Sequence, residues 1–379
     1  MKYFLSFFFS YTLLFTQDMN LGATLRTRFE SIDKDFTDST TFNSFHAQRF
    51  RFHISFKQND VELFFQLQDF RLMGSETSTL LDGSSDNFDL HQGYIKISKL
   101  MFLDSFKLGR FEQAFGNQRI IGNVGWHNIG RSFDGVVLSH IILNHKVDYF
   151  KFNLFETYPE LLNENDGFVS GINVSFHKSI KFINETLFVI DNDRKTSHTS
   201  LGHSLGNLNI NSEFGYQFGH VDSLDQKSWM ASFSLSYNLK SLIINSGMDF
   251  ISGDNSSTAV NESFNTLFST NHKFYGSMDY FLNLPVHTNN LGLIDFYMAS
   301  KTQNFPININ TSLHHFLSHR EDKNGNDTFG TEVDISLSKN IKENVNATFG
   351  YSIFLPGKIK SESDQKAQWV FLMISASFK

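Results

Sequence analysis

The feature that most limits what this chain can fold into is a period-two alternation of apolar and polar residues, recurring from end to end. In "RFRFHISFK", Phe50, Phe52, Ile54 and Phe56 share one face, while Arg49, Arg51, His53, Ser55 and Lys57 share the other. "SWMASFSLSYNL" sets Trp229, Ala231, Phe233, Leu235, Tyr237 and Leu239 against Ser228, Met230, Ser232, Ser234, Ser236 and Asn238. "VNATFGYSIFL" repeats the pattern, with Val345, Ala347, Phe349, Tyr351, Ile353 and Leu355 on one side. A repeat of two is that of a β-strand, and helical periodicity is scarce.

Phenylalanine dominates the apolar faces. The chain has 44 Phe, 24 Gly, only 4 Pro and no Cys, yet its mean hydropathy is −0.25. A soluble sandwich also alternates, but its apolar faces point inward and rarely rest so heavily on Phe. Segments of about 10 residues, half greasy and half wet, suit strands that cross a bilayer at a tilt. They can be placed from 22–30, 46–57 and 60–70 through to 344–355 and 367–378, which makes about eighteen, an even number as bacterial barrels require. The fold class expected is therefore all-β: a transmembrane antiparallel β-barrel in the outer membrane of a Gram-negative bacterium, in contact with its lipid. Tight links such as "KQND", "LNHK", "FHKSI", "NLKS" and "KNIKEN" alternate with longer ones such as "SIDKDFTDSTTFNSF" and "SHREDKNGND". Short periplasmic turns and long external loops follow if the first strand starts on the periplasmic side. "HKFYGSMDYFLN" would break the even count as a strand, so it is assigned to a long external connection over 252–290, where Phe274, Met278 and Phe281 suit a short helical turn.

The first residues, "MKYFLSFFFSYTLLFTQD", place one lysine before an apolar run and polar residues after it, the order of a secretory signal peptide. The expected division is a signal peptide over 1–16 and one barrel domain over 17–379. The lack of cysteine excludes thiolate metal sites and cysteine nucleophiles. A net charge of −7 argues against nucleic acid as a partner. Nothing calls for a metal or cofactor: Gly325 in "DKNGND" is misplaced for an EF-hand, and His314 and His315 alternate to opposite faces. Ser139 and His140 likewise fall on opposite faces, so they cannot form a nucleophile–base pair, and no enzymatic activity is expected.

One stretch stands apart: "GRFEQAFGNQRIIGNVGWHNIGRSFDGV", Gly109 to Val136, rich in Arg, Gly, Asn and aromatics. Arg110, Arg119 and Arg131 lie in it, with Glu112 and Asp134. The first two strands add Arg26 and Arg28 from "LRTRFE", and Arg49 and Arg51, all on the expected lumen face. Neighbouring arginines repel, so acids or bound anions must offset them, and Glu30, Glu62, Glu112 and Asp134 are the candidate partners. Arginine suits a pore wall because its planar fork pairs bidentately with carboxylates and stays charged. Parity sets Arg110 on the same face as Phe106 and Leu108 unless a bulge follows Gly109; the cost of a charge in lipid leads to the expectation that Arg110 points inward.

"LGRFEQAFGNQRIIG" followed by "WHNIGRSFDGVVL" resembles the signature of the alginate-export family of outer-membrane porins. "FNTLFSTNHKFYGSMDYF" and "FGTEVDISLSKNIKENVNATFGYSIFLPG" resemble two further blocks of that family. The resemblance implies an 18-stranded barrel with a narrow arginine-rich conduit for an anionic polysaccharide such as alginate, and a possible link to periplasmic export machinery. The residues alone leave a generic anion porin and an adhesive or structural barrel open. Loop 113–131 and the segment in 252–290 are the candidates to fold inward and narrow the mouth.

Overall fold

The computed structural model describes residues 18–36, 42–74, 88–155, 167–176 and 182–378; the expected signal segment 1–16 and the turn near 177–181 lie outside them. Inside a bilayer a backbone amide finds no water, so a spanning sheet must satisfy every ladder by closing on itself. The chain does this with one nineteen-stranded sheet. Its first staves are β1 (Asp18–Asp33), β2 (Asn43–Gln58), β3 (Val61–Leu72), β4 (Asp89–Leu100), β5 (Leu103–Phe111), β6 (Phe133–Ile142) and β7 (His145–Phe155). Next come β8 (Gly167–Ser175), β9 (Ile183–Asp191), β10 (Arg194–Leu205), β11 (Leu208–Val221), β12 (Leu224–Asn238) and β13 (Leu242–Ile251). The ring ends with β15 (Leu293–Thr302), β16 (Asn308–Leu317), β17 (Thr328–Lys342), β18 (Val345–Pro356) and β19 (Ala367–Phe378). The nineteenth strand, β14 (Val260–Asn261), is two residues pairing in parallel with the start of β12, so eighteen staves form the cylinder. All staves are antiparallel in chain order, and β1 closes on β19 in a register from Ala23↔Phe378 to Asp33↔Gln368.

Each expected segment falls on one stave, and several staves, β1, β2, β12 and β17 among them, run further. β1 spans Asp18–Asp33 rather than 22–30, because its ladder continues past the hydrocarbon, where polar residues such as Asn20 and Ser31 sit. Two-residue turns at 59–60, 101–102, 143–144, 206–207 and 343–344 share one end of the barrel. At the other end lie the long connections 112–132, 252–292, 318–327 and 357–366, together with two tight turns, at 192–193 and 222–223, where long loops were expected. "HKFYGSMDYFLN" is indeed not a strand. It begins within a 3₁₀ turn at Asn271–Lys273 and ends just before a single helical turn at Leu284–His287, so the helical geometry flanks Phe274–Phe281 instead of covering it.

The alternation sorts as the sequence predicts. Phe50, Phe52, Trp229, Phe233, Leu235, Tyr237, Phe349 and Leu372 are exposed on the outer face, while Ser228, Met230, Ser232 and Ser352 are buried on the inner one. A second apolar core lies inside the barrel, unforeseen by the alternation. Phe111, Phe133, Phe150, Phe152, Leu187 and Val189 of the wall pack with Phe115, Ile120 and Ile121 from connection 112–132. Phe316, Phe329 and Phe354 pack with Tyr275, Met278 and Phe281 from connection 252–292. Each fully buried phenylalanine contributes about 1.5–3 kcal/mol, so burial is a large part of what holds the two loops within the barrel.

The outer face must stay free of charge near mid-span. Phe233→Arg, midway along β12, is expected to destabilise the barrel by about 2–4 kcal/mol, whereas Ser234→Arg, facing the lumen, changes stability little. Urea unfolding of both variants in lipid vesicles measures the difference.

Candidate functional site

Connection 112–132 bridges the lumen. Its early part is pinned to β11–β13, and its tip rests on β1 and β2, about half-way round the ring. At the pinned end Arg119 is buried. It donates twice to Asp249 at 2.5 and 3.0 Å, to Tyr275 Oη at 2.9 Å, to Ser232 Oγ at 3.1 Å and to Glu213 at 3.4 Å. Its guanidinium also lies 3.8 Å from the centre of the Phe274 ring. Burial works against its charge, but Asp249, Tyr275 and Glu213 hold its pKa well above the ordinary arginine value. Connection 252–292 joins it edge to edge: Ile121 bridges Phe268, Thr270 N–H donates to the Gln118 carbonyl, and Trp126 stacks on His272 at 4.8 Å. Arg131 knits the pair by donating to the carbonyls of Gly122, Phe268 and Ser269, and burial lowers its pKa to about 10, so it remains a cation at neutral pH. Connection 252–292 is anchored in turn on β17, where Glu332 accepts from the Met278 N–H at 2.8 Å.

At the tip, four arginines converge on backbone oxygens. Arg26 donates to the Gly125 and His127 carbonyls at 3.0 and 2.9 Å. Arg28 donates to the Trp126 carbonyl at 3.2 Å and to Asn128 Oδ1 at 2.9 Å. Arg49 reaches the His127 carbonyl at 3.1 Å, and Arg51 the Ile129 carbonyl at 2.8 Å. Only two acids among the described residues bond to this group: Glu30, 2.7 Å from Arg28, and Glu112, 3.0 Å from Arg51. Glu112 also meets His91 at 2.8 Å. Against the upward push of burial, the His91 hydrogen bond and the Arg51 charge hold its pKa below the usual carboxylate range. Arg26 and Arg49 stand directly opposite each other in the ladder. The field they leave is felt at His127, whose imidazole is pushed down by burial and then by Arg28 and Arg26.

Two expected residues are elsewhere. The ladders β4–β5 and β5–β6 run through Gly109 without a register shift, so no bulge turns Arg110 inward. Gly109 instead serves a close backbone approach: its φ is +129°, and a Cβ there would come within 2.3 Å of the Gly93 carbonyl oxygen. Arg110 therefore shares the outer face of exposed Leu108, pairing with Asp134 at 2.7 Å and lying 3.9 Å from Asp89. Asp134 is likewise external. Their position at the loop end of the strands, beside water, removes the mid-bilayer cost that argued for an inward Arg110. Glu62 faces the lumen nearer the turns, in register between Lys57 and Lys96. Ser139 donates to Asp148 inside while His140 sits beside Asp104, on opposite faces as the alternation predicts.

The open lumen lies on the turn side of the bridge, along the wall from β9 to β19. A cavity of about 850 Å³ is lined by Arg119, Asn209, Asn211, Ser234, Asn245 and Lys273, among others. A second, of about 410 Å³, adds Lys301, Asn310, Thr348 and Trp126, and both touch His272 and Ser277. Short neutral polar groups prevail there, and of the expected arginines only Arg119 lines either cavity. Sequence reasoning missed the acids Glu213, Asp249, Asp295, Glu332 and Asp334 on the inner wall of β11–β17. Their strand parity was readable, but their pairing with a loop residue such as Arg119 was not.

A closed eighteen-stave cylinder whose mouth is narrowed by inward-folded loops is an outer-membrane porin-type channel. The alginate export family model matches residues 17–371, and the chain belongs to that family. Among solved structures, Acinetobacter baumannii OccAB4 superposes with a TM-score of 0.69 at 10% identity, over 95% of this chain and 98% of that one. Pseudomonas aeruginosa OccK9 (OpdG) gives 0.67 at 13% over the same shares, and Pseudomonas aeruginosa OccK2 (OpdF), solved in complex with glucuronate, gives 0.66 at 12%, again over 95% and 98%. No curated protein matches the chain.

Arg119→Ala leaves Asp249 buried without its cation, at a cost of about 3–5 kcal/mol. The bridge is expected to detach from β11–β13, raising single-channel conductance and its flicker; planar-bilayer recording of the two proteins measures this.

Proposed function

We propose that this channel passively conducts anionic solutes, and that carboxylated sugars, free or joined in an acidic polysaccharide such as alginate, are its cargo. The observation that carries this reading is the group of four guanidinium ions, Arg26, Arg28, Arg49 and Arg51, bonded to only two carboxylates among the described residues. On β2 the basic row continues with His53 and Lys57 on the same face, and Lys96 and Lys107 face each other across β4 and β5. A row of this kind offers a carboxylate successive sites, each strong enough to attract and weak enough to release. The hydroxyl- and amide-lined cavities opposite suit sugar rings, which need many weak hydrogen bonds. Family membership and a structural neighbour that holds glucuronate support the same class of cargo. The acids Glu30 and Glu112 keep the arginine forks extended, and Arg119 and Arg131 hold the loops that set the width.

Reversal potentials across a salt gradient are expected to show anion preference, and oligouronates to reduce the chloride current. Arg49→Gln with Arg51→Gln should weaken both effects by about tenfold or more, at about 1.5–3 kcal/mol per lost charge-assisted bond. Arg110→Gln, on the outer face, should change neither. A cation-preferring channel overturns the proposal; block by glucuronate but not by oligouronates restricts it to small anions.

A further inference from the structure

The acceptors that meet the tip-side arginines are unusual in kind. Arg26 and Arg49 bond to backbone carbonyls and to the Asn128 amide oxygen, all neutral, although the two cations are direct cross-strand neighbours. A neutral carbonyl is the weaker partner for a guanidinium because it brings no opposite charge, whereas a carboxylate can pair bidentately with the fork. The geometry around the tip also favours a moving part. Residues 125–129 lie between Val124, at φ 51°, and Gly130, at φ 88°. A left-handed β-branched residue such as Val124 is strained, and strain of this kind clusters at ligand clamps and switch segments. The tip is exposed at Gly125, His127 and Ile129, whereas the root is buried through Arg119, Ile120 and Ile121. Trp126 stays docked on His272 and against Phe371, which leaves 127–129 as the lever.

We infer that Arg26, Arg28, Arg49 and Arg51 form a carboxylate site that the chain's own carbonyls at 125–129 occupy in the closed channel, and that an entering carboxylate takes over by exchange. The inference rests on the anion-conduit reading and adds its regulation. The solute displaces the His127 carbonyl shared by Arg26 and Arg49, residues 127–129 swing off β1 and β2, and the tip stays open only while the carboxylate is bound. Arg119 and Arg131 keep the root in place throughout, so the loop opens as a flap rather than leaving the lumen. Glu30, with Trp369, and Glu112, with His91, hold Arg28 and Arg51 in place, while Arg26 and Arg49 meet only the neutral acceptors of the tip among the described residues.

The chain has no cysteine, so a single Ile129→Cys variant can carry a nitroxide at the tip of the full-length protein in vesicles. Titrating glucuronate is expected to raise the ratio of mobile to immobile label about tenfold, within the usual range of coupling between sites. Glucose at the same concentration should leave it unchanged. In the added background of Arg26→Gln and Arg49→Gln the label should be mobile from the start and insensitive to glucuronate. A spectrum that ignores glucuronate while glucuronate still reduces chloride current overturns the flap and leaves the conduit standing. An equal response to glucose overturns the carboxylate exchange. Loss of both glucuronate block and anion preference overturns the conduit reading itself.

Discussion

Hydrogen bonding of the backbone in hydrocarbon governs the rest of this structure. Each peptide that meets lipid must bond to a neighbouring strand, and a sheet with a free edge cannot comply. Closure of β1 onto β19 meets that demand, and the pleat of each stave turns alternate side chains outward and inward. The outer half of each strand is then given to lipid, and Phe50, Phe65, Phe233 and Phe349 fulfil that role. The inner half is freed for polar chemistry, and this freedom lets a chain of ordinary charge density place several arginines within one lumen.

Inside, the governing difficulty changes from unsatisfied amides to unbalanced charge. The two halves of the wall solve it differently. Along β11–β17 the acids outnumber the basic side chains, and a single buried guanidinium from the loop, Arg119, meets Asp249 and Glu213, while His314 meets Asp295. Along β1 and β2 the bases outnumber the acids, and the loop tip contributes backbone oxygens instead. The same connection thus presents a cation to the acidic wall and carbonyls to the basic wall. Its apolar residues, Phe115, Ile120 and Ile121, supply cohesion that neither set of polar bonds could give unaided.

Much of the barrel was legible from the residues because the lipid boundary acts on every second position, leaving a local signature in segments such as "RFRFHISFK". The arginine wall on β1 and β2 was legible for the same reason. What escaped was whatever depends on partners distant in sequence. Arg119 and Asp249 are 130 positions apart, and nothing in either neighbourhood names the other. Phe354 reads as an exception on a polar face until Tyr280 is seen packed on it at 4.3 Å. Arg110 failed for a subtler reason: parity assigned its face correctly, but the expectation was overruled by a mid-bilayer cost that does not apply at the rim beside Asp134 and Asp89. The bulge after Gly109 that an inward Arg110 requires is absent, and Gly109 answers instead to contact with Gly93.

The two tight turns at 192–193 and 222–223 leave the loop-end rim low over β9–β12, while connection 357–366 stands on the opposite side of the ring. A solute therefore meets a lopsided entrance. The low side of the rim stands over the same stretch of wall, from β9 onward, that carries the cavity of about 850 Å³.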